Sequence, residues 1–386
     1  MRNSAMAVRW HGAGDVRLES VSIASPGPGE VLIRCAYCGA CGSDLHEIHD
    51  GPHAIPTQSP HLLSGTTAPL TLGHEFSGTV TEIGSGVAGL DVGDPVVIEP
   101  SYRCGDCEAC RADRYHLCRG FGFAGLMGDG GMAEQAVVPA YMVHRLPRGF
   151  DLAQAAILEP AAVALHAVRR SGLVKGDSAA VIGLGPVGLL ITALLALRGI
   201  DPIIGVDPIA DRRGKALSSG ATIAMDPMAQ SDTTADIRRL AGGTGVDVAF
   251  EVVGAQASFD TALEATRAGG RIVLLGLTGR LEFDAMSLVN TEVSIVTSVG
   301  YNDCHRELID LVHAGRLNLK PFTDDVVPSC RRHRSCKRWP RGTSVASKPS
   351  SIVAGAPDNR RRGPGIAGPR STKLNQSPDQ SGLTQI

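Results

Sequence analysis

The sequence predicts an α/β protein in two parts: an irregular all-β domain, then a parallel sheet wound on both faces by helices. Three observations carry that expectation. Residues 6 to about 160 read as short strands and turns with little helical period. From Ser178 onward, strands and helices alternate, the pattern of a doubly wound sheet. A glycine turn, Gly183-Leu-Gly185-Pro186-Val-Gly188, joins the first strand of that alternation to its first helix. The chain has 386 residues, 43% hydrophobic and 20% charged, enough for two or three domains with sizeable cores.

Taken in order, the first part holds Val31–Tyr37 and Gly93–Glu99, whose β-branched residues and flanking turns suit strands. Pro26-Gly-Pro-Gly-Glu30 marks a turn. From Asp151 the texture becomes alanine-rich, and Leu152–Arg170 is expected to be a helix. Ser178–Gly183 then reads as a buried strand and Leu189–Arg198 as a helix. Ile203–Asp207 is a second strand, Asp211–Ser219 a second helix, and Val246–Val253 and Arg271–Leu277 are further strands. These readings divide the chain into residues 1–160, 161–298, a short return segment 299–328, and an end from 329 to 386 that is rich in Arg, Ser, Pro and Gly. By composition that end should not fold alone.

The uncharged stretch Ala179–Leu197 approaches the length of a membrane span. Its early glycines and Pro186 suit a strand, turn and helix better. The N-terminus carries Arg2 and Arg9 and lacks the apolar stretch of a secretory signal. A cytoplasmic protein with reduced cysteines is expected.

Four of those cysteines, Cys104, Cys107, Cys110 and Cys118, are spaced C-x2-C-x2-C-x7-C. Such a run can close a tetrahedral thiolate cage around zinc, and four thiolates leave no open position, so this metal would be structural. Disulfides or a redox pair are the alternatives, and the chain shows no sign of an oxidising compartment.

In the glycine turn, the first glycine makes the tight bend, the second lets backbone approach a pyrophosphate, and the third packs helix on strand. Gly183, Gly185, Pro186 and Gly188 are therefore candidate dinucleotide contacts. Asp207, 19 residues past Gly188, ends the next strand. A carboxylate there can bond both ribose hydroxyls and repel a 2′-phosphate, which predicts NAD over NADP. Arg212 either lies along the adenine or is a surface charge.

A catalytic metal needs about three protein ligands and an open position. Cys38-Gly-Ala-Cys41-Gly-Ser43-Asp44-Leu-His46 and Gly73-His74-Glu75 carry ligand chemistry. On residues alone, Cys41 could be a buried thiol and His74 a satisfied core histidine, the commoner fate of such residues.

These motifs resemble the zinc-dependent medium-chain alcohol and polyol dehydrogenase family, closest to its (R,R)-2,3-butanediol branch. The carriers are CGACGSDLHE, TLGHEFSG, VGDPVVIEP, the four-cysteine run, GFGFAGLMGDGGMAE, LEPAAVALHAV and GLGPVG, across roughly residues 6–328. The stretch from Asp50 to Pro69 is shared with that branch. The resemblance implies a GroES-like catalytic domain, a Rossmann domain, one catalytic and one structural Zn2+, and NAD. It places Cys41 and His74 as catalytic-zinc ligands. Glu159 stands where typical alcohol dehydrogenases have cysteine, and Glu75 is a second candidate carboxylate; the choice stays open. Asp44 would orient His74. Zinc would lower the pKa of the substrate alcohol, Ser43 would accept its proton, and His46 would pass that proton toward solvent. The expected reaction interconverts a secondary alcohol, such as a vicinal diol, and its acetoin-like ketone. Sorbitol- or threonine-type activity, an inactive truncated relative and a zinc-stabilised binding protein are the alternatives. The family forms dimers and tetramers.

The end of the chain does not fit. Residues 329–386 hold 12 Lys and Arg against 2 Asp and Glu, while the rest holds 25 against 37. Helical apolar spacing stops where relatives are expected to continue with a helix and a last strand. A reading-frame shift near codon 328 is the favoured expectation. A genuine basic tail for nucleic acid or an acidic partner is its rival. Cys330 and Cys336 are too sparse to argue for another metal.

Overall fold

The computed structural model describes residues 3–229, 232–276, 279–323, 326–328 and 352–354. The first lobe is antiparallel except for its last strand pair. A hairpin, Asn3–Gly12 with Asp15–Ile23, pairs with the short strand Leu70–Thr71. Beside it lies a larger sheet in the order Val143–Arg145, Pro95–Ile98, Glu75–Ile83, Glu30–Gly39, Ile352–Ala354, Val326–Pro328, with Gln135–Pro139 also paired to Glu30–Gly39. Its apolar residues alternate inward: Val31, Ile33, Phe76, Val80, Val96 and Ile98 form one buried cluster.

The second lobe is a six-stranded, wholly parallel sheet. Its order is Ile223–Met225, Ile203–Val206, Ala179–Ile182, Val246–Glu251, Thr266–Leu274, Ser294–Thr297. Numbered along the chain this is 3-2-1-4-5-6, so the order reverses between Ala179–Ile182 and Val246–Glu251. A crevice for a ligand is expected there, at the carboxyl ends of the strands. The strands are buried on both faces, which is why they are short apolar runs rather than alternating ones. Val181, Leu190, Leu194 and Phe250 pack on one face, and Ile182, Ile204, Ile237 and Phe259 on the other. Pro186 opens the helix Pro186–Leu197 at a position where its missing N–H costs nothing.

The expected helix Leu152–Arg170 is two helices, Leu152–Ala156 and Leu158–Ser171. Pro160 is the reason: inside one helix its ring would clash with the carbonyl of Ala156, but in a first turn it is tolerated. The second helix runs across the expected domain boundary at residue 160. Its Leu158, Leu165 and Val168 join the core of the parallel sheet, while Ser77 of the first lobe donates to the Leu152 carbonyl at 2.6 Å. Helix His305–His313 lies against it, and Arg169 binds Glu307 at 2.6 Å and the Asn302 and Asp303 carbonyls.

One part of the basic end departs from expectation. Ile352–Ala354 forms a strand that pairs in parallel with Val326–Pro328 and antiparallel with Tyr37–Gly39. Ile-Val-Ala is a β-prone apolar triplet in that segment, and a sheet edge supplies the template that its composition lacks alone. The rest of the segment, Cys330 and Cys336 included, lies outside the described residues.

Candidate active site and metal centres

Cys41 sits between a strand and a helix. It follows Glu30–Gly39 and caps the N-terminus of Gly42–Asp50. The Asp44 carboxylate accepts the Cys41 backbone N–H at 2.9 Å, which fixes the turn. Glu75 begins the neighbouring strand Glu75–Ile83 and His74 immediately precedes it; the register sets Gly39 opposite Glu75 and Cys38 opposite Phe76. Gly39 leaves room for the Glu75 side chain: a Cβ would fall 1.9 Å from Glu75 Oε2, and the carboxylate would have to shift. The sheet register therefore brings together Cys41 Sγ, a ring nitrogen of His74 and a carboxylate oxygen of Glu75, all within 4.8 Å of one another.

The electrostatics of this group are unbalanced. Burial pushes the Glu75 carboxyl up, and the nearby Glu159 pushes it further. Glu159 is raised for the same first reason, with His74 pulling the other way. The Cys41 thiol is raised by burial and by Glu75, while His74 lowers it. Burial opposes charge on His74, but Asp44 and Cys41 outweigh it and raise the imidazole. The His74 Nδ1 and Asp44 Oδ1 are buried without hydrogen-bond partners, 3.6 Å apart, an ion-pair distance rather than a hydrogen bond. A thiol, an imidazole and carboxyl groups packed together out of water are a donor set that a divalent cation satisfies, and zinc accepts all three types. Glu75 belongs to the tight trio. Glu159, 3% exposed at the start of its helix, stands outside it but close enough to feel its charge.

Ser43 Oγ lies 3.5 Å from His74 Nε2. His46, one turn further along the same helix, is exposed, with its ring edge-on to His53. Phe123 packs near His74, with ring centroids 6.0 Å apart, and Tyr301 of the second lobe packs near Phe123 at the same spacing. Phe123 lay within a quoted motif without being singled out. Tyr301 carries no sequence signal, since only the fold brings residue 301 to this place.

The four cysteines form a second cluster whose ligand atoms also lie within 4.8 Å of one another. Sulfur–sulfur distances are 3.5 Å for Cys104–Cys118 and 3.9 Å for Cys104–Cys110, and none is a disulfide. A tetrahedral site with Zn–S near ~2.3 Å requires sulfurs roughly 3.8 Å apart. Backbone N–H groups of Cys107 and Cys104 donate to Cys104 Sγ and Cys118 Sγ, each at 3.3 Å, which favours thiolates. The Cys107 thiol is drawn down to about 6, first by the Cys110 backbone N–H and then by that of Arg119.

At the dinucleotide turn, Gly183 has φ +95°. Gly188 cannot carry a side chain, because a Cβ would lie 1.9 Å from the Gly183 carbonyl oxygen. Gly185 instead faces open space, with no atom within 4 Å of where its Cβ would be. That opening lies at the N-terminus of Pro186–Leu197, a site for a pyrophosphate. Asp207 is 2% exposed and pinned: Leu184 N donates to Oδ2 at 2.9 Å and Ile209 N to Oδ1 at 2.8 Å. Arg212 is half-buried against it, 3.3 Å from Oδ2.

A parallel sheet of this order, a glycine cradle at its reversal and an adjoining antiparallel lobe with one open and one closed metal cluster define a two-domain zinc dehydrogenase of the nicotinamide-dependent type. Comparison with known proteins agrees. Residues 27–148 match the alcohol dehydrogenase GroES-like domain and residues 186–314 the zinc-binding dehydrogenase domain. The (R,R)-butanediol dehydrogenase of Neisseria gonorrhoeae is 39% identical over 320 residues, covering 82% of this chain and 90% of that one. The crystal structure of 2R,3R-butanediol dehydrogenase from Bacillus subtilis superposes with a TM-score of 0.80 at 34% identity, over 91% of this chain and all of that one. A zinc-binding dehydrogenase from Sinorhizobium meliloti bound to NADP gives 0.78 at 28% identity, over 92% and 100% of the two chains. The chain belongs to the zinc-dependent medium-chain alcohol and polyol dehydrogenase family. Among the described residues no helix is long and apolar enough to cross a membrane.

Proposed function

We propose that this protein oxidises a vicinal secondary diol of the 2,3-butanediol type to its hydroxyketone, and runs the reverse reaction, with NAD. The observation that carries the substrate is the 39% identity to a butanediol dehydrogenase across nine-tenths of that relative's length. Cys41, His74 and a carboxylate, Glu75 or Glu159, would hold the catalytic zinc; Cys104, Cys107, Cys110 and Cys118 would hold the structural one. Bound zinc supplies Lewis acidity to an alcohol oxygen, and bound NAD supplies the hydride acceptor. The chain's own residues supply position and proton transfer. Ser43, 3.5 Å from His74, takes the alcohol proton. His46, one turn on and open to solvent, carries it away. Gly183, Gly185, Pro186 and Gly188 receive the pyrophosphate. Asp207 binds the ribose and disfavours a 2′-phosphate, and Arg212 steadies Asp207.

The test is NADH formation over a panel of 2,3-butanediol stereoisomers, sorbitol, xylitol and threonine. The (R,R)-diol should give the highest kcat/KM; a preference for threonine or a pentitol would replace the substrate. Comparable efficiency with NADP would refute the reading of Asp207. Cys41→Ala should abolish turnover while NADH binding remains measurable.

We further propose a homodimer or homotetramer in the cytoplasm. Ser294–Thr297 ends the parallel sheet, and the helix leading into it exposes Met286 and Val289, 64% and 70% accessible. The free cysteines suit a reducing compartment.

A further inference from the structure

Glu99, His144 and His305 form a third cluster that neither the zinc chemistry nor the dinucleotide site uses. Their ligand atoms lie within 4.8 Å of one another. Glu99 follows the strand Pro95–Ile98, and His144 lies on the paired strand Val143–Arg145, opposite Val97. His305 begins the helix His305–His313, which packs on Leu158–Ser171. The cluster therefore joins the antiparallel lobe to the segment that follows the parallel sheet. Glu99 is 2% exposed and His305 1%.

Both imidazoles address one oxygen. His144 Nε2 is 2.7 Å and His305 Nδ1 3.5 Å from Glu99 Oε2, and the two rings are stacked, 4.9 Å apart and within 9° of parallel. Arg103 faces the other oxygen, Oε1, at 3.7 Å, and leaves the Oε2 side to the histidines. An ion pair of His144 with Glu99 accounts for those two residues. It does not account for His305, whose Nδ1 and Nε2 are both buried without a hydrogen-bond partner. A buried polar group without a partner has given up its hydration for nothing, so a ligand on that ring is favoured. In a tetrahedral zinc site with bonds near ~2.0–2.1 Å, ligand atoms are roughly 3.3 Å apart. The two distances to Oε2 bracket that value. An entry route exists as well: His144 lines a cleft of about 680 Å³ with Arg169, Arg306 and Glu307.

We propose that Glu99, His144 and His305 bind a divalent transition-metal ion, Zn2+ in the first instance, as a clamp between the two lobes. Two imidazole nitrogens and one carboxylate oxygen suit Zn2+, Co2+ or Ni2+ and not Mg2+ or Ca2+. With three protein ligands, water from the cleft completes the coordination. The site shares no residue with the catalytic trio or the four-cysteine cage.

The test counts metal in the full-length protein after equilibrium dialysis against buffered micromolar free Zn2+. Wild type, His305→Gln and His144→Gln are compared by plasma mass spectrometry. Each variant should hold one Zn2+ fewer per chain than wild type, whatever the occupancy of the other two sites. Added Zn2+ should also raise the unfolding temperature of wild type by more than that of either variant. His144 is the more exposed ligand, so His144→Gln decides the matter if His305→Gln fails to fold, as judged by far-UV circular dichroism. Equal counts in wild type and folded His144→Gln overturn the proposal.

Discussion

His166 shows what burial does to one side chain in this fold. It lies edge-on to His116, with centroids 4.8 Å apart, and its Nε2 has no hydrogen-bond partner. Burial, helped by His116 and Arg170, holds its imidazole down at about 4. The unfolded chain takes up this proton near ~6.5, so between about 6.5 and 4 the unfolded state binds more protons. This stability is fully present above pH 6.5 and is lost as pH falls toward 4. Urea midpoints at pH 7 and pH 5 should therefore differ less for His166→Phe than for wild type; an unchanged difference would remove His166 from the acid response. At the residue scale, legibility in the sequence followed proximity. The cysteines from 104 to 118 stand in a run whose spacing is itself the signal, whereas Cys41 and His74 stand in short motifs that only the family resemblance marks as ligands. Glu99, His144 and His305 are far apart in the chain, so no spacing announces them. The Glu75 and Glu159 question stayed open in sequence because it depends on how the strand that carries Glu75 and the helix that carries Glu159 sit against Cys41.

At the scale of elements, the strand–turn–helix from Ala179 to Leu197 was readable because buried parallel strands are apolar runs and the turn demands glycine. Gly188→Ala should test that demand. Its Cβ would meet the Gly183 carbonyl, and the helix must retreat from the strand to avoid it. NADH affinity should fall by about tenfold or more as the pyrophosphate cradle opens. Unchanged affinity would show that the cradle is not the cofactor site. The four-cysteine loop makes a different prediction. Its helix Glu108–Arg111 is a single turn and has no buried residue, so side-chain packing does not hold it. Cys107→Ser should cost one bound zinc per chain. Loss of that zinc should lower the unfolding temperature, because structural zinc contributes directly to folding free energy. Activity at low temperature should survive, because the open cluster is elsewhere. The break at Ile157 is easy to miss in sequence because helical period continues through it; Pro160, four residues after Ala156, is the signal that marks it.

At the scale of the whole molecule, the parallel sheet has an outer edge at Ser294–Thr297. Val289→Asp should lower the molar mass seen by light scattering if that edge pairs subunits, and leave it unchanged if another surface does. The two-lobe plan was legible from chain order, since alternating strands and helices admit few topologies. The closing of the first sheet was not, because its last strands come from residues 326–328 and 352–354. That closing has a consequence for the order of events during synthesis. The parallel lobe is one continuous stretch, from Ala179 to Thr297, and can fold as soon as it leaves the ribosome. The first lobe is made earlier but finishes later. Gln135–Pro139 covers one side of the strand that leads into Cys41 only as far as Arg34, and its last residues, Tyr37–Gly39, wait for Ile352–Ala354, so the end nearest Cys41 is completed only when nearly the whole message has been read.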